Sequence, residues 1–255
     1  MKSPLRYPGG KTRACKILND IILEKGFDIN TIVSPFFGGG SFEFHLCKNY
    51  GSKLIVNDKF KPLYSFWTCV KHRNKELCDK LKTYLGNVDK ETFTQMRNTI
   101  MNETDVLNQA CKYFIINRCS FSGSTLSGGF SQESSKKRFT ESSIKRISDL
   151  NLKDVSITNE DFAEFIGRDH NAFIFLDPPY YLGNNSKLYG SNGDMHENFD
   201  HEKLYDMLKD KKNWIMTYNN CDFIKELYKD FEIREVSWTY GMNKSKESSE
   251  IVIIG

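Results

Sequence analysis

The tetrapeptide Asp177-Pro178-Pro179-Tyr180 is the segment of this chain best suited to do chemistry. It follows the apolar run 172–176, which is short, branched and aromatic and therefore predicts a buried central strand that ends at Asp177. The two prolines lack the N–H donors of a strand, so a stiff loop must begin there. The carboxylate and a proline carbonyl could accept both hydrogens of an exocyclic amine while the tyrosine ring stacks on its heterocycle. Ligands bind at this end of strands in open α/β sheets.

A glycine-rich turn follows an earlier predicted strand. The strand pattern 31–35 ends in proline, and residues 35–42 then read Pro-Phe-Phe-Gly-Gly-Gly-Ser-Phe. Glycines allow a ligand to approach the backbone closely. Asp58 stands 18 positions after Gly40, at the end of the next predicted strand, where a carboxylate could hold ribose hydroxyls. This order predicts nucleoside binding, and the absence of the Gly-x-x-x-x-Gly-Lys-Ser/Thr pattern disfavours ATP.

Three further segments each admit a structural and a functional interpretation. Lys11, after Gly9 and Gly10, could pair with a carboxylate at a helix start, or could belong to a basic arm with a turn. Asp161, before Phe162, could lie beside an adenine or could cap a helix. Residues 117–123 could contact base edges and Lys136, Lys137 and Arg138 could contact phosphates, or the stretch could be a solvated polar loop.

Composition narrows the class of protein. The 255 residues are 39% hydrophobic, which supports a real core, and no apolar run approaches the ~20 residues of a membrane span. The first residues lack the apolar stretch of a signal peptide. The seven cysteines form no Cys-x-x-Cys pair, and the five histidines show no spacing typical of metal ligands. We therefore predict no metal site and no disulfide framework, and we expect the protein to work in the reducing cytosol.

The net charge of +3 is unevenly distributed along the chain. Residues 1–59 carry 9 basic and 5 acidic side chains, residues 60–150 carry 15 and 9, and residues 151–255 carry 12 and 19. This asymmetry indicates either a polyanionic partner on one side or an ordinary solvated surface.

The pattern of elements predicts an α/β fold with an insertion. Strand patterns occur at 31–35, 53–56, 155–157, 172–177, 214–218, 231–236 and 251–254. Helical patterns occur within 60–115 and at 142–149, 160–166, 200–210 and 221–229, whereas 117–143 is typical of a loop or hairpin. We therefore predict a catalytic domain formed by residues 1–59 and 151–255, with residues 60–150 as an inserted subdomain that contacts the substrate.

The motifs, taken together and in this order, resemble the Dam-type family of S-adenosylmethionine-dependent DNA adenine N6-methyltransferases. The resemblance spans most of the chain and is carried by Tyr7-Pro8-Gly9-Gly10-Lys11, residues 35–41, Asp58, Asn117-Arg118, Phe121-Ser122-Gly123, Asp161-Phe162, Asp177–Tyr180 and residues 250–253. The chain departs from the family at Tyr7, where Trp is common, and at Gly39 in place of Ala. Beyond residue 123 the match is poor, so no recognition sequence can be carried over.

The resemblance implies a Rossmann-like seven-stranded sheet, mostly parallel with one antiparallel strand, and an inserted helical or hairpin subdomain for target recognition. It implies methyl transfer from S-adenosylmethionine to the flipped-out adenine amine of duplex DNA. The predicted catalytic residues are Asp177, Pro178, Pro179 and Tyr180. The predicted cofactor-binding residues are Tyr7, Gly9, Gly10, Lys11, Phe36, Gly38, Gly40, Asp58, Asp161, Phe162 and Asp177. The predicted DNA-binding residues are Asn117, Arg118, Ser120, Ser122, Lys136, Lys137 and Arg138.

Double-stranded DNA is the implied partner, with no metal and no membrane, for an enzyme that works in the cytosol as a monomer or as a dimer on DNA. A cytosine-N4 or an RNA adenine methyltransferase is the alternative within this chemistry, and the Asp before Pro-Pro-Tyr favours adenine by resemblance. A nucleic-acid-binding module with a vestigial cofactor pocket is the alternative of another class. The motifs leave open the recognition sequence, a cognate restriction enzyme and the biological role.

Overall fold

The described residues form one seven-stranded sheet. The computed structural model describes residues 2–7, 9–168, 171–181, 199–239 and 247–255. The strands are β1 Thr31–Ser34, β2 Lys53–Asn57, β3 Val155–Thr158, β4 Phe173–Leu176, β5 Trp214–Asn219, β6 Glu232–Thr239 and β7 Glu247–Ile254. Their order across the sheet is β3-β2-β1-β4-β5-β7-β6, and β7 runs antiparallel to both of its neighbours. The predicted α/β class and the seven-stranded sheet with one antiparallel strand are confirmed.

The chain order reverses between β1 and β4. Strand β1 pairs in parallel with β2 on one side and with β4 on the other, so that Ile32 lies opposite both Leu54 and Phe173. In such a sheet the loops that leave the two central strands diverge to opposite faces and open a crevice at their carboxyl ends. Those loops are the glycine-rich turn after β1 and the segment that begins at Asp177 after β4.

Helices cover both faces of the sheet. They are α1 Cys15–Lys25, α2 Ser41–Tyr50, α3 Lys61–His72, α4 Asn74–Lys82, α5 Lys90–Thr99, α6 Val106–Cys119, α7 Gln132–Arg138, α8 Glu141–Ser148, α9 Phe162–Ile166, α10 His201–Leu208 and α11 Asp222–Leu227. Strand β4 shows the layering, because Phe173 and Phe175 join the core under α1, α2 and α3 while Ile174 and Leu176 join the core under α9, α10 and α11. All four are buried, as expected of a central parallel strand with both faces covered.

The segment 60–150 is helical and continuous with the core of the sheet. Trp67 of α3 packs its ring 5.2 Å from that of Phe37, and its indole N–H donates to the Gly38 carbonyl at 2.9 Å. Helix α6 is buried along most of its length and packs against α3. Residues 60–150 therefore contact the glycine-rich turn directly, through Trp67.

The predicted loop or hairpin at 117–143 is wrong in part. Short 3-10 turns at Phe121–Gly123 and Thr125–Ser127 and an isolated bridge between Ser120 and Phe130 form its first half. Its second half contains α7 and the start of α8. Helix α7 has no buried residue, so it carries no apolar periodicity from which a helix could be predicted.

Within the described ranges, no helix combines the length and the apolar character needed to cross a membrane. No cluster of three or more His, Cys, Asp or Glu side chains in the same ranges could hold a metal ion. All seven cysteines are free thiols, and five of them are buried.

Candidate active site

The carboxylate of Asp177 is held from two sides at the end of β4. Lys11 places its Nζ 2.7 Å from Oδ1 and 2.9 Å from Oδ2. The hydroxyl of Thr217, on the adjacent strand β5, donates to Oδ1 at 2.7 Å. Lys11 is 3% exposed and Asp177 is 25% exposed, so the pair is closed on the lysine side and open on the carboxylate side. These contacts fix the carboxylate in one orientation.

Lys11 reaches this position from a turn that precedes α1. The turn Lys11–Arg13 is a short 3-10 helix, and Lys11 Nζ also donates to the Gly9 carbonyl at 2.9 Å. The Gly10 N–H donates to the Tyr7 carbonyl at 3.1 Å, which closes the preceding turn. Pro8 lies outside the described residues. Of the two interpretations of this segment, the structure shows the one in which Lys11 pairs with a carboxylate.

Tyr180 is fixed by its hydroxyl and by its ring. The hydroxyl donates to Glu250 Oε2 at 2.6 Å, and the ring stacks on that of Tyr218 at a centroid distance of 5.8 Å and an angle of 27°. Lys11 Nζ lies 5.0 Å from the centroid of the same ring. Burial, together with the charges of Asp177 and Glu250, holds the pKa of Tyr180 well above its usual range. The tyrosine therefore stays neutral and presents an aromatic surface beside Asp177.

Glu250 has a role that sequence reasoning did not assign. It lies on β7, it is 2% exposed, and it directly precedes the apolar run 251–254. A charged residue is rarely buried without a partner, so its position next to an apolar run was an available signal. In the loop after β4, Pro178 is buried and Pro179 is half-buried.

The glycine-rich turn is shaped by Tyr7. Gly38 and Gly40 adopt φ angles of +50° and +63°, which favour glycine. A Cβ on Gly38 would lie 2.9 Å from Tyr7 Cε1, and one on Gly39 would lie 2.8 Å from Tyr7 Cβ. The Tyr7 ring thus packs directly on the backbone of the glycine-rich turn. Helix α2 begins immediately after this turn.

Asp58 connects β2 to the same turn. Its Oδ2 accepts the Gly38 N–H and its Oδ1 accepts the Phe60 N–H, both at 2.9 Å. Burial raises the pKa of Asp58 to about 6, against the lowering effect of these two hydrogen bonds. Each oxygen retains a lone pair with which it could accept a ribose hydroxyl.

Asn57 was missed by the sequence analysis and joins three strand ends. Its Nδ2 donates to the carbonyls of Pro35 and Glu160 at 3.2 and 3.1 Å, and its Oδ1 accepts the Glu160 N–H at 2.9 Å. Asn57 is 1% exposed. It fixes the loops after β1 and β3 next to each other, which brings Phe36 and Asp161 to the same side of the crevice.

Asp161 caps α9, as its structural interpretation predicted. Its Oδ1 accepts the Ala163 N–H at 3.0 Å, and its Oδ2 pairs with Lys59 Nζ at 2.8 Å. Burial would raise the pKa of Asp161, but Lys59 and the Ala163 N–H bring it below the usual value. Asp161 is therefore an ionised acceptor at the edge of the crevice.

Three aromatic rings meet beside these two carboxylates. The ring of Phe162 lies 5.7 Å from that of Phe36 and 5.0 Å from that of Phe199, and Phe36 and Phe199 are 5.6 Å apart. Phe199 was not predicted to belong to the site. The rings offer an apolar surface for a heterocycle, and Asp58 and Asp161 offer acceptors for hydroxyl or amine hydrogens. This set of groups fits the adenosine part of S-adenosylmethionine.

Three of the predicted DNA-binding side chains lie inside the protein. Asn117 is fully buried, and its amide accepts the Arg6 N–H at 2.9 Å and donates to the Arg6 carbonyl at 2.7 Å. Arg118 is 7% exposed and donates to the carbonyls of Arg138 and Pro4. Ser120 is also buried. These residues anchor the N-terminal segment to α6, and in this arrangement they present no surface to a base.

The remaining predicted DNA-binding residues differ in position. Lys136, Lys137 and Arg138 lie exposed on α7. The side chain of Ser122 lies outside those described. Its neighbour Phe121, not predicted as a contact, is 69% exposed. Exposed basic side chains can contact phosphates, and exposed aromatic rings can stack on bases.

Comparison with known proteins agrees with this geometry. The family described as D12 class N6 adenine-specific DNA methyltransferase matches residues 7–242. The chain is also 24% identical, over 236 residues, to the Type II methyltransferase M.CviBI of Paramecium bursaria Chlorella virus NC1A. The aligned region covers 89% of this chain and 86% of that protein. The family match extends from Tyr7 past the Asp177–Tyr180 loop. The chain therefore belongs to the D12 class of N6 adenine-specific DNA methyltransferases.

Proposed function

We propose that this adenine-specific DNA methyltransferase uses S-adenosylmethionine to methylate an adenine flipped out of duplex DNA, with Asp177 and Tyr180 holding the target base. The observation that carries the proposal is the fixed, partly open carboxylate of Asp177 next to an aromatic ring. The family match supports the reaction, and the proposal adds the roles of the residues.

Asp177 is arranged to accept one hydrogen of the target amine. A carboxylate offers about four lone-pair positions. Lys11 and Thr217 take two on Oδ1, and Lys11 takes one on Oδ2. The remaining position on Oδ2 accepts one amine hydrogen, and the Pro178 carbonyl accepts the other. Both contacts favour a pyramidal nitrogen and localise its lone pair for attack.

S-adenosylmethionine, when bound, would supply a methyl group on a sulfonium. The amine nitrogen that takes up this methyl would form the C–N bond and give up one proton, and the sulfur would keep the electrons of the C–S bond. Asp177 is the carboxylate positioned to receive or pass on that proton. Lys11 and Thr217 hold it in orientation, and positioning of this kind supplies much of the rate.

Tyr180 offsets part of the cost of base flipping. Removing an adenine from the stack costs a few kcal/mol. A flipped base that stacks on an aromatic ring recovers about 1–3 kcal/mol. The hydrogen bond of the Tyr180 hydroxyl to Glu250 fixes the ring before the base arrives, so little side-chain entropy is lost on stacking.

The test is transfer of labelled methyl from S-adenosylmethionine to unmethylated genomic DNA, followed by nucleoside digestion and mass spectrometry. The wild type is expected to form N6-methyladenine. Asp177→Ala is expected to form none while still unfolding in one cooperative transition, although at lower stability because Lys11 loses its partner. Asp206→Ala, at an exposed position of α10, is the matched control and should keep full turnover. Normal turnover by Asp177→Ala would contradict the assigned role, and label in RNA alone would contradict the assigned substrate.

A further inference from the structure

A second aromatic stack lies directly beside the active-site loop. Tyr181 follows Tyr180 in the chain, and its ring stacks on that of Phe223 at a centroid distance of 4.5 Å and an angle of 26°. Phe223 is the second residue of α11 and is 36% exposed even in this contact. The reaction as described above uses neither ring. We refer to these two residues as the Tyr181–Phe223 stack.

The stack is held rigidly by its neighbours. Asn219, at the end of β5, donates its amide N–H to the Tyr181 carbonyl at 2.6 Å. His201 packs edge-on against both rings, at 74° and 5.3 Å from Tyr181 and at 80° and 6.3 Å from Phe223. A preorganised ring loses little entropy when a ligand stacks on it.

His201 also connects this stack to the one beneath the target base. Its Nδ1 is hydrogen-bonded to the Tyr218 hydroxyl, and the Tyr218 ring is stacked with that of Tyr180. The two stacks are therefore fixed relative to each other at the carboxyl ends of β4 and β5. A base held at one stack lies close to a base held at the other.

The chemistry around Phe223 suits a base rather than a phosphate. Lys225, two residues further along α11, pairs with Glu235 at 2.5 Å, and Asp222 is exposed next to Phe223. Phosphates bind to cationic side chains, and among the described residues around Phe223 we find no unpaired cation. An exposed aromatic ring stacks on any nucleobase, because every base has a π-face.

We infer that the Tyr181–Phe223 stack binds the nucleobase adjacent to the target adenine on the methylated strand. Flipping the target removes one stacking partner from each of its neighbours, and the backbone ties those neighbours to the base held at Tyr180. The inference rests on the proposed function, and it adds a second base-binding position to it.

The first experiment compares variants of Phe223. Wild-type product is sequenced to find the methylated site, and affinity is then measured on a duplex that contains it. Phe223→Ala is expected to bind this duplex about tenfold more weakly, because it loses one stacking contact. Phe223→Trp should keep wild-type affinity, and Phe223→Leu, which keeps an apolar side chain without the ring, should resemble Ala. Affinity for S-adenosylmethionine should be the same in all four proteins.

The second experiment removes the base instead of the ring, so its first comparison uses the wild-type protein alone. Duplexes carry an abasic position on either side of the target adenine. Wild-type protein should lose about tenfold in affinity for one of them. Phe223→Ala should show no further loss on that duplex, since a shared contact makes the two changes non-additive.

The outcomes separate this inference from the proposed function. If the wild type forms no N6-methyladenine, the proposed function fails before any variant is compared. If the wild type is active but Phe223→Ala binds the duplex as tightly as wild type, the inference is overturned. It is also overturned if the loss of affinity from Phe223→Ala adds fully to the loss from the abasic position on either side of the target. Equal affinities of the Leu and wild-type proteins would also overturn it, because packing rather than stacking would then explain the effect.

Discussion

Lys11 and Asp177, 166 positions apart in the chain, form an ion pair in which one buried ammonium contacts both oxygens of a partly exposed carboxylate. The segment before α1 is thereby joined to the loop after β4. Removing one partner of such a pair leaves the other charge without compensation.

Replacing Lys11 with Met should lower the free energy of unfolding by about 3 kcal/mol. It should also slow methyl transfer at least 100-fold, because Asp177 loses its orientation. Urea unfolding and single-turnover kinetics measure the two effects. Lys16→Met, at an exposed position of α1, is the control. The stability losses of Lys11→Met and Asp177→Asn should be less than additive in the double variant, and strict additivity would argue against the pair.

Affinity for S-adenosylmethionine should depend on the ionisation of Asp58. Its pKa lies at about 6 in the protein without cofactor, so the carboxylate is ionised above that pH and neutral below it. Only the ionised form accepts charge-assisted hydrogen bonds from hydroxyls. We expect affinity to fall as pH drops through 6, and Asp58→Asn to bind more weakly with little dependence on pH in this range. Calorimetric titration with S-adenosylmethionine between pH 5 and pH 8 measures this, with Asp20→Asn as control. A wild-type affinity that does not change over this pH range would contradict the prediction.

Glu43 should make the protein less stable as pH rises. This residue of α2 is 3% exposed, accepts a hydrogen bond from Ser34 at 2.6 Å, and has its pKa raised to about 7, chiefly by burial. A carboxyl group whose pKa is higher in the folded than in the unfolded state stabilises the fold below the unfolded value. That contribution, about 3 kcal/mol at most, is lost as pH rises from about 4.5 through 7.

The matched variant for this effect is Glu43→Gln, which is neutral at every pH and can still accept the Ser34 hydrogen bond. The difference in unfolding free energy between the two proteins should grow between pH 4.5 and pH 7 and then level off, with Gln the more stable at pH 8. If the unfolding free energies of the two proteins change with pH in the same way, the ionisation of Glu43 does not destabilise the fold.

Asn117→Ala should destabilise the protein rather than change its sequence specificity. Its buried amide makes hydrogen bonds to both the N–H and the carbonyl of Arg6 and to the Thr125 hydroxyl, and these partners are half-buried. Leaving these groups without partners should cost about 2–4 kcal/mol. Asn102→Ala, at an exposed position, should cost little. Methylation-aware sequencing of the product should show an unchanged site, and a changed site would indicate a contact with bases.

The basic residues of α7 should behave in the opposite way. Changing Lys136, Lys137 and Arg138 to Ala should weaken DNA binding at low salt while the unfolding transition stays in place, because all three are exposed. Each phosphate contact that is lost should reduce the slope of log affinity against log salt by about 0.9. A variant without the three lysines of α4 is the control for overall charge. If the triple variant has the same slope of log affinity against log salt as wild type, α7 does not contact DNA phosphates.

Most of the fold could be predicted because its strands are apolar and its turns carry glycine and proline. The run that became β4 has both faces covered, and buried parallel strands have continuous apolar sequences. Helix α7 could not be predicted in this way. It begins at Ser131, which caps it, and its residues contact solvent rather than a core. Local capping and charge, not hydrophobic periodicity, define such a helix.

The motifs located the site, but the contacts within it could not be derived from chain order. Thr217 and Glu250 reach the active-site loop only because β5 and β7 lie beside β4 in space. Asn117 looked like a side chain for base contacts, since amides make such contacts. Its partner, the Arg6 backbone, lies 111 positions away, and a single sequence gives no measure of burial over that separation.

The place of β7 in the sheet bears on how the enzyme is made. Strand β7 comes last in the described chain, yet it lies between β5 and β6, and it carries the carboxylate that anchors Tyr180. During synthesis on a ribosome, β6 has no strand to join until residues 247–254 emerge. Methylation activity should therefore arise only after translation has passed this strand, and a nascent chain that stalls before it should leave the DNA unmodified.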